Sequence, residues 1–158
     1  FMGNQYIILM FPSSWSYELF ELYLPHSSWN PSQEIKASTD IEGYGGRKSY
    51  AFDTAGGYYA SRFSILEYLN LIKRQASVIA IRVETPSYWA SLGVWVVRES
   101  VKKALKREMK FADRSELLES VKKIGKIKYN FDFENILNRS KLLREKKEQK
   151  SLKDFVKI

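Results

Sequence analysis

The sequence predicts an α/β or α+β fold, in which a small mixed sheet with packed helices precedes a basic helical segment and a short tail. First, strand-like and helix-like patterns alternate through the first 110 residues, and only helical patterns follow. Second, residues 1–98 carry equal numbers of acidic and basic side chains, so the net charge of +8 lies in residues 99–158. Third, the last ten residues lose the helical pattern. These observations divide the chain into an α/β core domain (1–110), a basic helical segment (111–148) and a tail (149–158).

The chain is predicted to open with a strand and then a helix. Residues 5–11 (QYIILMF) form a short apolar run that Pro12 ends, which is typical of a buried strand. Residues 15–24 (WSYELFELYL) carry apolar side chains at helical spacing. Ser13 and Ser14 before them suit an N-cap, and Pro25 after them suits the end of a helix. We therefore expect a helix over 15–24.

A long irregular stretch precedes the centre of the predicted core. Residues 26–57 are rich in glycine and serine, with short candidate strands at 35–39 and 48–52. Residues 58–74 then carry apolar side chains on two faces of a helix, which indicates a central helix. Residues 77–83 (SVIAIRV) are apolar and β-branched, so they predict a strand.

Three helices are predicted in the remainder. The first runs from 94 to about 110, although its opening VWVV fits a strand as well. Two more are expected at 114–124 and 132–149, where Asp113 and Asp132 have the chemistry of N-caps.

Composition narrows the classes of function. The chain has no cysteine and one histidine, His26, which excludes disulfides and cysteine-based metal sites within it. No apolar run approaches the roughly 20 residues that span a bilayer, and the start lacks a signal-peptide pattern, so we expect a cytoplasmic protein without a membrane partner. The basic C-terminal part favours a polyanion such as DNA; the alternative is a solvated helical surface rich in Lys and Glu.

The tail has a spacing suited to a docking peptide. Gln149 is followed by Leu152 and, three residues later, by Phe155 and Val156. In one 3₁₀ turn, residues three apart project together, so these apolar side chains would form one hydrophobic plug. The pattern resembles the PCNA-interacting peptide, by which proteins bind the sliding clamp. The alternative is a helix end that packs on its own domain.

The central segment carries sequence motifs that resemble a known family. The motifs are GRK at 46–48, TAGGYYASR at 54–62, EYL at 67–69, KRQASV at 73–78 and LGVWVVRESV at 92–101, with FPSSWSYELFELYLP at 11–25. They resemble the archaeal Nre family of DNA-repair proteins. The resemblance implies a clamp-binding motif at the C-terminus, as residues 149–156 offer, and a cysteine-type zinc motif in an N-terminal part. Because the chain has no cysteine, we expect it to be the C-terminal region, with no cofactor of its own.

The function expected from the resemblance is DNA repair, with recruitment to PCNA through the tail and contact with DNA through the basic surface. The alternative is an enzyme that processes a nucleotide or nucleic acid, or a nucleotide-binding domain without chemistry. The residues leave open whether any bond is cut.

A phosphate or nucleotide site is predicted where glycine-rich loops approach the helix at 58–74. Free backbone N–H groups and the positive end of the helix dipole favour an anion there. Neither a Walker motif nor GxGxxG is present. The candidate phosphate- or nucleotide-binding residues are Gly46, Arg47, Gly56, Gly57, Tyr59, Arg62, Arg74 and Arg98, and the candidate acid/base residues are Glu84 and Glu99.

Each of these candidates has a structural alternative. The glycines can serve turns that need a positive φ. A buried ion-pair and hydrogen-bond network is the alternative for the polar residues in apolar surroundings, namely Arg74, Gln75, Glu84, Arg98 and Glu99. Base stacking and core packing are the two alternatives for the rings of Tyr58, Tyr59, Trp89 and Trp95.

Overall fold

Four strands form one mixed sheet in the computed structural model, which describes residues 1–89 and 92–148. The spatial order is β1-β4-β2-β3. The β4 strand runs antiparallel to β1 and parallel to β2, whereas β3 pairs with β2 in antiparallel fashion. The strands are β1 (Asn4–Pro12), β2 (Ser16–Tyr23), β3 (Lys36–Glu42) and β4 (Ala76–Glu84).

Helices cover both faces of the sheet. The pair α1 and α2 packs on one face, against β2 and β1, and α3 and α5 pack on the other face, also against β1 and β2. The described helices are α1 (Ala55–Leu71), α2 (Val94–Leu105), α3 (Arg114–Tyr129), α4 (Glu134–Arg139) and α5 (Lys141–Glu148). The predicted mixed-sheet fold class is confirmed. The division into 1–110, 111–148 and 149–158 stays a prediction.

The central strand β4 explains why the sheet has two separate apolar cores. All nine of its residues are buried, as expected for a continuous apolar run that lies between two layers of helices. Its residues Val78 and Ala80 face the α1 and α2 layer, together with Tyr17 of β2. Its residues Ile79 and Ile81 face the layer of α3, α4 and α5.

The predicted helix at 15–24 is wrong, because these residues form β2. The strand lies inside the sheet between β4 and β3, so six of its eight residues are buried and the usual alternation of apolar and polar residues is lost. Its Tyr17 and Leu19 face one layer of helices, while Phe20 and Leu22 face the other. A strand that is apolar on both faces also has apolar residues at helical spacing, which is why the pattern indicated a helix.

The predicted strand at 48–52 is also absent from the described part of the chain. The Arg47 side chain donates hydrogen bonds to the carbonyls of Ser49 and Tyr50, and to that of Ile41 at the end of β3. A side chain therefore satisfies backbone groups that a sheet ladder would otherwise satisfy. The candidate strand at 35–39 is confirmed within β3, which extends to Glu42.

The predicted helix at 132–149 is divided at Ser140 by a buried carboxylate. Ser140 has an extended backbone, and its hydroxyl donates to Glu18 of β2. The same carboxylate accepts the N–H groups of Lys141 and Leu142, 3.1 and 3.2 Å away. Glu18 thus caps α5 from the adjacent strand β2 and fixes where that helix begins. Of the two caps predicted from sequence, Asp113 is confirmed, because it accepts the Glu116 N–H at 2.9 Å. Asp132 accepts the Glu134 N–H at 2.9 Å, but it precedes the N-cap position of α4, which Phe133 occupies.

Candidate functional site

A cavity of about 310 Å³ lies where α1 and α2 begin. Gly56 in the first turn of α1 and Gly93 before α2 both line it, with Trp29 and Tyr88 at its side. In the part of the chain that the structure describes, neither helix start has a side-chain cap. Two positive helix ends therefore face one cavity and favour an anionic group there, although the side chains of Glu21 and Asp53 also line it.

A buried arginine forms the floor of this cavity. Arg82 of β4 donates from Nη1 to Glu21 Oε1 at 2.7 Å and from Nη2 to Glu84 Oε2 at 3.3 Å. Its Nε donates to Asn4 Oδ1 at 2.6 Å, so three strands contribute to one network. The three charged side chains are at most 8% exposed, and such a group is retained only when its charges are paired.

Gly57 is required for this network to lie under α1. A Cβ atom at this position would collide with the Glu21 carboxylate, beside Arg82. The second glycine of the TAGGYY motif therefore allows the helix to approach the ion pair, whereas a Cβ at Gly56 would meet open space. The two adjacent glycines have different roles, since Gly57 serves packing and Gly56 borders the cavity.

Burial and the charges of the network set the pKa of Glu84. Burial raises the pKa of Glu84 to about 7, and the neighbouring Arg82 only partly opposes this shift. One arginine faces two carboxylates, so the network favours a proton on one of them near neutral pH. A carboxyl with this pKa, paired with the arginine that lines the cavity, fits the predicted acid/base role, although a structural network produces the same shift.

The raised pKa predicts how stability depends on pH. The folded pKa of Glu84, about 7, lies above its value of 4.5 in the absence of burial, so the folded state binds more protons between these values. This contribution is fully present below pH 4.5 and is lost as pH rises through 7, at a cost of roughly 3 kcal/mol. In Glu84→Gln, we expect urea titrations to show a free energy of unfolding that falls less over this range. Glu67→Gln changes an exposed residue of α1 and should keep the wild-type dependence of the free energy of unfolding on pH. If the free energy of unfolding of Glu84→Gln depended on pH as in the wild type, the raised pKa of Glu84 would be contradicted.

A second ionic cluster lies at the end of β3. Arg47 Nη2 is 3.0 Å from Asp40 Oδ1, and Arg62 Nε is 2.7 Å from Glu42 Oε1. The Arg62 guanidinium also lies 5.8 Å from the Trp15 ring centroid. Two of the arginines predicted to bind phosphate are therefore paired with carboxylates.

The predicted site residues lie in separate places. Gly56 lines the cavity, whereas Gly57 and Glu84 lie against the Arg82 network that forms its floor. Gly46 and Arg47 line a different surface cleft of about 340 Å³, next to α5. The other candidates lie elsewhere. Tyr59 accepts the Ala51 N–H, and Arg74 is exposed after the end of α1. On α2, Arg98 is exposed above the Phe63 ring, and Glu99 pairs with Lys102 at 3.6 Å. Whether any of them binds a nucleotide stays a prediction.

The buried network has different members from those that the sequence suggested. Of the five proposed residues, Glu84 is buried, whereas Arg74, Gln75 and Arg98 are exposed and Glu99 is half-buried. The residues missed were Arg82 and Glu21. A signal was available, since each is a charged residue inside a long apolar run, VIAIRV and YELFELY.

A basic and aromatic surface lies at the β1 edge of the sheet, where residues of α2 and the last turn of α3 lie near Phe1. The pKa of the Phe1 amino group is lowered by burial and then by the positive charges of Lys103, Lys128 and Arg107, so these cations lie around one point. Lys103 Nζ is 3.9 Å from the Phe1 ring centroid, and the Trp95 ring meets Phe1 edge-on at 6.2 Å. We refer to Trp95, Lys103, Arg107 and Lys128 as the α2 surface.

Two basic residues of α3 are neutralised by neighbouring carboxylates. Lys122 is paired with Glu119 and Glu134, at 2.9 and 3.2 Å, and Lys126 lies 3.7 Å from Asp132. Among residues 1–89 and 92–148, Lys103, Arg107 and Lys128 form no such ion pair. Carboxylates among the described residues therefore do not offset the positive charge of the α2 surface.

Three further predictions concern the tail, metals and membranes. The proposed clamp-binding residues, Gln149, Leu152, Phe155 and Val156, lie outside the described residues. Within the described ranges, no three His, Cys, Asp or Glu side chains are grouped so that they could hold a metal ion. None of the helices in the same ranges has the length and apolarity needed to cross a bilayer.

The fold and the sites define a class of protein: an α/β/α domain with an arginine network under a cavity at two helix starts, and a basic surface on one edge. Two family models match this chain, "Archaeal Nre, N-terminal" over residues 1–30 and "Archaeal Nre, C-terminal" over residues 42–155. The chain belongs to the archaeal Nre family, as its motifs suggested. The two matched regions share one sheet, because β4 lies between β1 and β2.

The relatives found are DNA-repair proteins by name. The chain is 43% identical over 115 residues to DNA repair protein NreA of Haloferax volcanii, which covers 72% of this chain and 27% of the relative. It is 41% identical over 104 residues to DNA repair protein NreA of Archaeoglobus fulgidus, covering 66% and 26%. DNA repair protein NreB of the same organism is 41% identical over 100 residues, covering 63% and 25%. The chain thus spans about a quarter of each relative. No solved structure matches it.

Proposed function

We propose that this chain is part of a DNA-repair protein that contacts the DNA backbone through the α2 surface and is recruited to PCNA by residues 149–158. The names of the relatives support the repair role. The observation that carries the DNA contact is that Lys103 lies 3.9 Å from the Phe1 ring, with Arg107 and Lys128 close to the same residue, and that none of the three forms an ion pair among the described residues. Cations gathered in this way neutralise neighbouring phosphates and release their counterions.

The tail supports the recruitment part of the proposal. Gln149, Leu152 and Phe155 have the spacing of a clamp-binding peptide, and in the sequence they follow the residues of α5 (Lys141–Glu148). The start of α5 is held by the buried Glu18 carboxylate. The peptide is therefore attached to a helix with a fixed origin, and a docked clamp would lie near the domain that contacts DNA.

The DNA contact predicts a strong and local dependence on salt. We expect the triple variant Lys103→Ala, Arg107→Ala and Lys128→Ala to lose roughly tenfold or more in affinity for duplex DNA at low salt. The slope of log affinity against log salt should fall by about two to three, one for each lost phosphate contact. Fluorescence anisotropy of a labelled duplex, at four or five salt concentrations, measures both quantities.

A control of equal charge separates a local surface from net charge. Lys36, Lys73 and Arg74 are exposed residues on β3 and after α1. Lys73 and Arg74 lie just before Ala76, which pairs with Pro12 at the end of β1 remote from Phe1. Their triple alanine variant removes the same charge and should retain nearly wild-type binding. Equal losses in the two triple variants, or a flat salt dependence in the wild type, would overturn the proposed DNA contact.

A further inference from the structure

We infer that the α2 surface binds an unpaired DNA strand, with a base stacked on Trp95 and neighbouring phosphates on Lys103, Arg107 and Lys128. The inference rests on the proposed DNA contact and specifies the form of DNA that is bound. The Trp95 side chain is 48% exposed although it is the largest apolar side chain of α2. An exposed indole within a basic surface is the arrangement by which proteins hold single strands.

The aromatic part of this surface has more than one ring. Phe63 of α1 is 51% exposed, and the Arg98 guanidinium lies over it, 5.7 Å from the ring centroid. Arg98 follows Trp95 by three residues on α2, so both side chains lie on the same side of the helix. Rings and a guanidinium plane at neighbouring positions offer successive surfaces on which bases can stack.

The basic part continues the surface along the helix. Lys103 follows Trp95 by eight residues, which is about 12 Å along a helix axis. The Phe1 ring lies between them, in contact with both the indole and the Lys103 ammonium group. A strand with one base on Trp95 would therefore extend toward three cations that have no carboxylate partner among the described residues.

The exposed Trp95 favours unpaired DNA over a duplex, because only an unpaired strand offers free base faces for stacking. In a duplex each base is covered above and below by its neighbours, so an exposed indole finds only base edges, sugars and phosphates. In an unpaired strand the base faces are free, and each stacked base contributes favourably whatever its sequence. The cations serve both forms, whereas Trp95 discriminates between them.

Replacing the indole tests this discrimination. In Trp95→Ala we expect the affinity for a single-stranded oligonucleotide to fall roughly 5- to 150-fold, with less than a twofold change for a duplex of the same length. Trp95→Phe, which retains a ring, should recover most of the loss. Tyr44→Ala is the matched control, because Tyr44 is 74% exposed in the turn after β3, at the opposite edge of the sheet.

Fluorescence provides a second measurement that does not depend on the stability of the alanine variant. Binding of single-stranded DNA should quench tryptophan emission in the wild type, and the part due to Trp95 should be missing in Trp95→Phe. Unchanged single-strand affinity in Trp95→Ala, or equal losses for both forms of DNA, would overturn the inference. If Trp95→Ala affects both forms of DNA equally but the triple cation variant still loses affinity, the proposed DNA contact stands and only the inference about unpaired DNA fails. If the triple cation variant binds DNA like the wild type, the proposed DNA contact itself is overturned.

Discussion

Arg82→Ala is expected to destabilise the domain by about 3–5 kcal/mol, the range found when one partner of a buried ion pair is removed. The substitution leaves the carboxylates of Glu21 and Glu84 buried, at 3% and 1% exposure, without their cation. It also removes the donor to Asn4, so the link between β1, β4 and β2 on this face is lost. A loss of this size is a large part of the stability of an ordinary domain.

Equilibrium unfolding in urea, compared with Arg62→Ala, tests this expectation. Arg62 also pairs with a buried carboxylate, but its side chain is 31% exposed, and Glu42 keeps the Trp15 Nε1 donor at 2.8 Å. We therefore expect Arg62→Ala to cost only about 1 kcal/mol. A variant that combines Arg82→Met with Glu21→Gln and Glu84→Gln should recover part of the loss, because no buried charge is left unpaired. Similar losses for Arg82→Ala and Arg62→Ala would contradict the assigned importance of the network.

The elements that could be predicted from sequence are those whose signal is local. The strand at 77–83 is a continuous β-branched run, and α1 carries an apolar pattern over several turns, so neighbouring residues suffice to identify them. The strand β2 differs, because its place between β4 and β3 depends on a parallel pairing with residues 61 positions later, such as Tyr17 with Val78. A pattern within residues 15–24 contains no information on that pairing.

In the candidate site, too, only the features set by neighbouring residues could be predicted from sequence. Gly56 and Gly57 could be placed at a helix start, because the TAGGYY motif and the helix are adjacent in sequence. The Arg82 network could not, since Arg82 bonds to Glu21 across 61 residues and to Asn4 across 78. The α2 surface likewise joins the ends of two helices to the start of β1. Only the folded chain brings these groups together.

Phe155→Ala is expected to abolish binding of the chain to the sliding clamp. Docking would bury the apolar side chains of Leu152, Phe155 and Val156, each with about 1.5–3 kcal/mol of favourable transfer free energy. Fixing the peptide backbone costs about 1–2 kcal/mol per residue, which offsets most of this gain. The net affinity should therefore be about micromolar, near −8 kcal/mol, and removing the largest ring should cost several kcal/mol.

Calorimetry with the purified clamp measures this effect, and Lys153→Ala is the matched control. Lys153 lies between Leu152 and Phe155 in sequence but contributes only a charge to the motif, so its replacement should change the affinity less than twofold. The chain ending at Glu148 provides a second control, since it should lose clamp binding and keep the salt-dependent DNA binding of the α2 surface. Equal affinity of Phe155→Ala and wild type would refute recruitment through the tail. A chain ending at Glu148 that loses DNA binding as well would show that the two contacts are not separate, because the cations assigned to DNA all precede α5.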